Sequence, residues 1–308
     1  MKTAFLMRFW QYQAERFPFL IHGILIAVFS FSAIAYSRIC RGQTNFIDWP
    51  TYGAAVFCTV TLFLLVRIFD EHKDAEDDAQ FRPELPVPRG LISLKELRMV
   101  GFVVFAAQLL LISLFFTKML FPLALVLGYL CLMGVEFFIP DWLRKHQFWY
   151  VTSHMLIIPL VDIFASGFDW YLGSYIPPEG LVFFFVVSYF NGIVLEIGRK
   201  IRSEEKEAPG VLTYTGMLGI PKAIGLWLLV LAITLFAALK AADFAHLGVE
   251  TSIFLGIMFG ICGLPALLFL NKRTSKNAKM IEYASAVWTL VMYGSLGGVP
   301  MLRSLLFG

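Results

Sequence analysis

Six carboxylates fall within nine residues at Asp70-Glu71-His72-Lys73-Asp74-Ala75-Glu76-Asp77-Asp78, a stretch that lies between two strongly apolar segments. Asp70, Asp74 and Asp78 recur at every fourth residue. Four helical residues carry a side chain about 40° past a full turn, so a helix presents the three on one face. Like charges so close repel one another unless a cation lies among them. A hard divalent ion such as Mg²⁺ takes oxygen ligands and bridges readily to phosphate. The expected chemistry is the holding of a metal-bound, phosphorylated lipid at a membrane boundary.

The sequence continues as Phe81-Arg82-Pro83-Glu84-Leu85-Pro86-Val87-Pro88-Arg89-Gly90. The prolines end the acidic helix and hold the following segment extended, because proline fixes its own φ and keeps the residue before it out of the helical region. Arg82 and Arg89 are then expected close to the carboxylates, where a guanidinium can grip a diphosphate with two parallel hydrogen bonds. A solvated acidic loop with ordinary ion pairs is the plainer alternative.

The elements that must position these residues are membrane helices. The 308 residues are 58% hydrophobic and 15% charged, with a mean hydropathy of +0.74, far from the balance of a soluble domain. Apolar runs long enough to cross a bilayer recur along the chain. Nine spans are expected, at 18–36, 52–69, 99–117, 119–138, 150–168, 180–197, 221–242, 249–270 and 281–301, in one all-α bundle over residues 1–308 with a central cavity. Of the 25 Lys and Arg, 20 fall on one side of this topology. Basic loops stay in the cytoplasm, so the N-terminus and the loops 70–98 and 197–220 are expected there, and the C-terminus outside. The expected setting is a bacterial inner (plasma) membrane.

Residues 2–17 mix aromatic side chains with Lys and Arg, as an interfacial helix does, and no cleavable leader is expected. Cys40, Cys58, Cys131 and Cys262 show no paired spacing, which favours packing over disulfides or metal. The two charged loops are each followed by a similar helix start, which hints at two related halves. No nucleotide-binding or nucleophile-elbow motif occurs, and no nucleic-acid partner is expected. Asp162 lies deep in an apolar span, where an acid is costly and faces the bundle interior. It could act as a base or cation-stabilising carboxylate, or equally be a packing device. His154, near the cytoplasmic end of the same span, is read as structural. Asn191 points to that same end.

On these residues the chain resembles the UbiA superfamily of intramembrane prenyltransferases. That family carries Asn-Asp-x-x-Asp-x-x-x-Asp, then Arg-Pro and Pro-x-Gly. Here Asp70 stands in place of the Asn and Glu71 in place of the first Asp, both changes keeping oxygen ligands, while Asp74 and Asp78 match, followed by Arg82-Pro83 and Pro88-Arg89-Gly90. The resemblance implies an acidic motif after span six as well, of the form Asp-x-x-x-Asp. This sequence departs from it: Glu196 stands for the first acid, Lys200 follows four residues later, and Glu204 comes four after that. Glu204, eight residues after Glu196 and so on a similar helical face, could share a second metal with it while Arg199 and Lys200 face a phosphate oxygen. Alternatively Lys200 replaces one metal charge, or Glu196 and Lys200 form an ordinary helical ion pair.

By this resemblance the chain is expected to move a prenyl group from an isoprenyl diphosphate to an aromatic, quinone-precursor or lipid acceptor within the membrane. Two Mg²⁺ ions are implied, held by Asp70, Glu71, Asp74, Asp78, Glu196 and Glu204. Lys73, Arg82, Arg89, Asn191, Arg199 and Lys200 are expected at the substrate, with Asp74, Asp78, Arg82, Lys200 and Asp162 in the chemistry. Metal and fixed cations neutralise the leaving group, while the apolar bundle holds the tail and excludes water. A terpene cyclase on the same fold is the alternative, and a cation transporter a further one, although Asp162 and Asp169 make a thin ion path.

Overall fold

The computed structural model describes residues 4–207 and 210–307. Lys2 of the cation count, the first residues of the expected interfacial helix and residues 208–209 of the second loop therefore lie outside the described residues. The described chain is helical throughout. A first helix, α1 (Phe5–Arg16), is followed by α2 (Phe19–Cys40) and α3 (Trp49–Lys73), then the short α4 (Ala75–Phe81). After the proline-rich loop come α5 (Leu94–Phe115), α6 (Leu120–Gly134), the short α7 (Pro140–Lys145), α8 (Gln147–Met155) and α9 (Ile157–Gly167). The second half runs through α10 (Trp170–Gly173), α11 (Leu181–Arg199), α12 (Tyr214–Leu218), α13 (Ile220–Phe244), α14 (Val249–Asn271), α15 (Ser275–Tyr293) and α16 (Val299–Phe307).

Among the described residues nine helical segments are long and apolar enough to cross a membrane, and each overlaps one of the nine expected spans. The boundaries differ where local chemistry intervenes. The fourth span ends at Gly134, because Glu136, Phe137 and Phe138 all adopt positive φ and cannot continue a right-handed helix. The fifth is broken at Leu156 between α8 and α9. Pro159 lacks the N–H that would bond back across this break, and its ring crowds the preceding turn. The ninth is longer than expected, from Ser275 to Phe307, with a π-helical turn over Gly294–Gly298. A side chain at Gly297 would meet the Ser32 carbonyl oxygen at 2.1 Å, so glycine is what lets this turn rest against α2.

The core lies along α2, α9, α11, α13 and α15, where Ala33, Phe164, Phe184, Val187, Trp227 and Trp288 have no exposed surface. The outer helices turn their apolar residues outward, as Phe102, Val103 and Leu110 do on α5 and Ile257, Ile261 and Leu264 on α14. In lipid this is the expected arrangement, since the apolar solvent rewards no hydrophobic inside. One end of the bundle is fastened by Asp169, whose carboxylate takes Arg38 Nη1 at 2.8 Å, Arg41 Nη1 at 3.3 Å and Ser37 Oγ at 2.8 Å. Asp169 is therefore a structural clamp, occupied on both oxygens. The acidic motifs gather at another end.

Candidate active site

The first motif does not form one straight helix. Asp74 closes α3 and opens α4, with φ −90° and ψ 7°. Hydrogen bonds of helical spacing nevertheless cross the bend, from Asp74 N to Asp70 O and from Asp78 N to Asp74 O, at 2.9 and 2.8 Å. The three aspartates end up in different settings. Asp70 and Asp74 keep side chains 35% and 37% exposed, with their nearest cations, Arg67 and Lys73, at 3.9 and 4.0 Å. These are loosely held carboxylates with free oxygens. Asp78 is buried and takes Arg82 Nη2 at 2.6 Å, with Arg16 Nη2 at 4.0 Å. Burial pushes its carboxyl above the usual carboxylate range, while the Arg82 guanidinium pulls it back.

Glu71 is 1% exposed and shares Arg16 with Asp78. Its Oε1 takes Arg16 Nε at 2.7 Å, Arg67 Nη2 at 3.0 Å and Arg67 Nε at 3.2 Å. The family resemblance implied Glu71 among the metal ligands; its carboxylate is instead the hub of a buried ion cluster joining α1 to α3. Arg89 also sits apart from the carboxylates that it was expected to approach. It grips Glu15 on α1 with both Nη atoms, at 2.9 and 2.6 Å, and the Glu84 carbonyl at 2.8 Å. It thereby joins α1 to the proline-rich loop, and this pairing holds the Glu15 carboxyl below its ordinary range. A third tie runs from Arg8 to Glu96, the residue that caps α5 together with Ser93.

The second motif begins on α11. Glu196 is 5% exposed; its Oε1 accepts Lys200 Nζ at 2.6 Å and its Oε2 accepts Arg199 Nε at 2.7 Å. The plain helical ion pair is thus present, and both oxygens are taken. The helix stops at Arg199, with Lys200 as its cap. Glu204 therefore does not continue the face of Glu196, as the spacing had led one to expect. It lies in a separate 3₁₀ turn, 81% exposed, 3.8 Å from Arg273. The loop is closed instead by Glu207, which accepts hydrogen bonds from the hydroxyls of Thr213 and Thr215.

The two motifs lie within electrostatic reach of each other. Asp70 on α3 interacts electrostatically with Arg199 on α11, and His154 on α8 senses Lys73, Glu196 and Lys200. Lys73 reaches across to donate to the Tyr150 hydroxyl at 2.7 Å and lies 3.5 Å from Glu136 Oε1. Glu136 and Tyr150 were not singled out from the sequence. The only signal was a carboxylate at the end of an apolar run. Deeper in the bundle, Asp162 has no exposed surface and neither of its oxygens is hydrogen-bonded. Ser188 is a polar neighbour of its carboxyl, and the Tyr293 hydroxyl interacts with Ser188, Asn191 and Asp162. Asp162 and Asn191 therefore share one polar pocket of the core, in which Asn191 and Ser188 lie about 8 and 12 Å along the α11 axis from the charged mouth at Glu196.

Among the described residues no three His, Cys, Asp or Glu side chains converge as a ready-made metal cage. The donor set of the first motif still fits a hard cation: Asp70 and Asp74 offer carboxylate oxygens that no cation holds closer than 3.9 Å. The second motif does not fit one, because Arg199 and Lys200 already occupy Glu196.

No protein-family model matches the sequence, and no curated protein is significantly similar to it. Two solved structures are alike in fold. One, reported for a digeranylgeranylglyceryl phosphate synthase in membranes, aligns over 93% of this chain and 99% of its own with a TM-score of 0.60 and 16% identity. The other, the apo structure of a UbiA homologue from Aeropyrum pernix K1, aligns over 91% of this chain and 98% of its own with a TM-score of 0.65 and 12% identity. The all-α polytopic architecture expected from the apolar runs is thereby borne out, and the chain has the UbiA fold along nearly its whole length.

Proposed function

We propose that this protein transfers a prenyl group from an isoprenyl diphosphate to a hydrophobic acceptor inside the membrane. The observation that carries this reading is the composition of one mouth of the bundle. Two loosely held carboxylates, Asp70 and Asp74, face a wall of cations made by Lys73, Arg199 and Lys200, above an apolar interior. A diphosphate needs that mixture: cations to take its charge, and carboxylates to hold the metal that it brings. The apolar spans suit the isoprenoid tail.

Asp70 and Asp74 would hold Mg²⁺, which when bound supplies Lewis-acid stabilisation of the leaving diphosphate. Arg199 and Lys200 stand where a second metal-binding acid pair was expected, and on this reading they supply fixed positive charge in its place. Arg82 holds Asp78 and closes the motif from the loop side. The walls keep water from the allylic carbon while its bond to oxygen breaks. The positive-inside asymmetry supports a cytoplasmic location for this mouth.

The test is to supply purified protein and Mg²⁺ with geranyl, farnesyl and geranylgeranyl diphosphate, each alone and then with an extract of membrane lipids and quinone precursors. Diphosphate release only with the extract, and a product heavier by one prenyl unit, is the expected result. Release without the extract, with a cyclic hydrocarbon or alcohol as product, would replace transfer by cyclisation.

A further inference from the structure

Beside the charged mouth, the chain holds a backbone conformation that has to be explained. Glu136, Phe137 and Phe138 have φ values of 51°, 53° and 62°. Side chains other than glycine rarely enter this region, and three in succession are strained. Strain of this kind persists where the surrounding structure needs the residue in place. Here it turns Glu136 inward, with Oε1 3.5 Å from Lys73 Nζ and Oε2 3.7 Å from His154 Nε2.

His154 is held on every other side. It is 5% exposed. The Tyr150 ring stacks on it at 4.1 Å and 18°, and Phe137 packs edge-on at 5.8 Å. Its Nδ1 lies 2.8 Å from the Tyr150 carbonyl oxygen, which can only accept. In the neutral ring Nδ1 therefore carries the hydrogen, and Nε2 presents a lone pair. Ser153 Oγ lies 3.3 Å from the same Nδ1. The other charged groups that His154 senses are Lys73 on α3 and Glu196 and Lys200 at the end of α11.

Two buried acceptors thus converge, and neither has a hydrogen-bond partner: His154 Nε2 and Glu136 Oε2. Their separation is too long for a direct hydrogen bond. It is right for one small group placed between them, which donates to one or to both according to the hydrogens that it carries. No described side-chain donor fills that role. An ether, a ketone or a bare hydrocarbon would leave both acceptors unsatisfied; a hydroxyl would pair with His154 Nε2 through its one hydrogen, and a primary amine with both.

Resting on the prenyl-transfer reading above, we propose that His154 and Glu136 form the acceptor site and receive the O–H or N–H of the second substrate. As the C1–O bond of the diphosphate breaks, its electron pair leaves with the diphosphate. A lone pair of the acceptor oxygen or nitrogen forms the new bond to C1, and the proton lost from that atom passes to His154 Nε2. The Glu136 carboxylate balances the imidazolium and, at 16% side-chain exposure, offers the proton a way to solvent. Lys73 holds Glu136 in place and connects this site to the first motif.

The experiment compares wild type, His154→Gln, Glu136→Gln and His154→Ala in lipid nanodiscs. Geranylgeranyl diphosphate with Mg²⁺ is the probe, and binding is measured separately from diphosphate release in the presence of the lipid and quinone-precursor extract. Wild type that releases no diphosphate would overturn the prenyl-transfer reading and this proposal with it. Given release by wild type, His154→Gln is expected to lose about 100-fold in turnover, in the range of general acid–base catalysis, with geranylgeranyl diphosphate binding and melting temperature kept. Added imidazole should restore part of the turnover of His154→Ala, which a packing role would not allow. The isolated product should carry the prenyl group on oxygen or nitrogen. Wild-type turnover in His154→Gln, parallel loss of binding and folding in both glutamine variants, or a product prenylated on carbon would each overturn the proposal.

Discussion

Arg16 Nε lies 2.7 Å from Glu71 Oε1, so the first described helix is ion-paired to the start of the acidic motif, 55 residues further along the chain. Arg67 completes the cluster from one turn earlier in α3. Around it, Arg8–Glu96 and Glu15–Arg89 fasten the same helix to the start of α5 and to the proline-rich loop. Helix α1 thus sets the position of the segment that carries Asp74 and Asp78.

Glu71 should consequently behave as a structural residue. Removing one member of a buried charge cluster strands the others, at a cost of about 3–5 kcal/mol. Glu71→Ala is expected to lower the melting temperature strongly in detergent. A double-mutant cycle with Arg16→Met should return a coupling on the order of 1–3 kcal/mol. A coupling near zero would mean that α1 is not held through this pair.

The aspartates of the motif should separate by phenotype. Asp74 is loosely held, so Asp74→Ala should abolish turnover while the melting temperature stays as in wild type. Asp78 is buried against Arg82 and Arg16. Asp78→Ala should therefore lose turnover and stability together, because two guanidinium groups lose a partner. Thermal melts and diphosphate release on the same preparations check both, and full turnover in Asp74→Ala would remove this carboxylate from the metal site.

Much of this was readable before any coordinates. Nine apolar runs and a one-sided charge distribution specify the bundle, because a bilayer admits little other than helices of about that length. The spacing of Asp70, Asp74 and Asp78 likewise marked the loop to examine. Pairings across the chain were hidden. Nothing local to Glu71 points to Arg16, and nothing in Arg89 points to Glu15, since each partner arrives through tertiary packing. The helix end at Arg199 was hidden as well, since the sequence Arg199-Lys200-Ile201-Arg202 has no proline or glycine to mark it; Glu204 was accordingly read on a face that it does not share. Glu136 was missed for a further reason. An inward-turned carboxylate requires three consecutive residues at positive φ, and Glu-Phe-Phe has no propensity for that.

Asp162 invites a prediction of opposite sign to most core substitutions. It has no exposed surface, no cation beside it and neither oxygen hydrogen-bonded. An ionised carboxylate there is costly, whereas an amide of the same shape is not charged and can donate to Ser188 or Tyr293. Asp162→Asn should melt at the same temperature as wild type or above it. Asp162→Leu should melt lower, because the Ser188, Asn191 and Tyr293 side chains would then share the pocket with a hydrocarbon. A large loss of stability in Asp162→Asn would show that the carboxylate itself is held by a partner.

Lys200 decides what the second motif does. Its Nζ lies 2.6 Å from Glu196 Oε1, and Arg199 takes the other oxygen of the same carboxylate. Glu196 is thus outnumbered by cations, and the net charge of this helix end is positive. If that positive charge serves the leaving diphosphate, Lys200→Met should lower turnover by at least tenfold and weaken diphosphate binding. Lys200→Asp should be worse, because it adds a carboxylate beside Glu196 and reverses the local charge. If the motif instead worked through a second metal, Lys200→Asp would recreate an acid pair at four-residue spacing and raise turnover, most clearly at high Mg²⁺. Turnover of the two variants across a Mg²⁺ titration separates these cases. The geometry favours the first: Arg199 and Lys200 already hold both oxygens of Glu196, and a metal would have to displace them before it could bind.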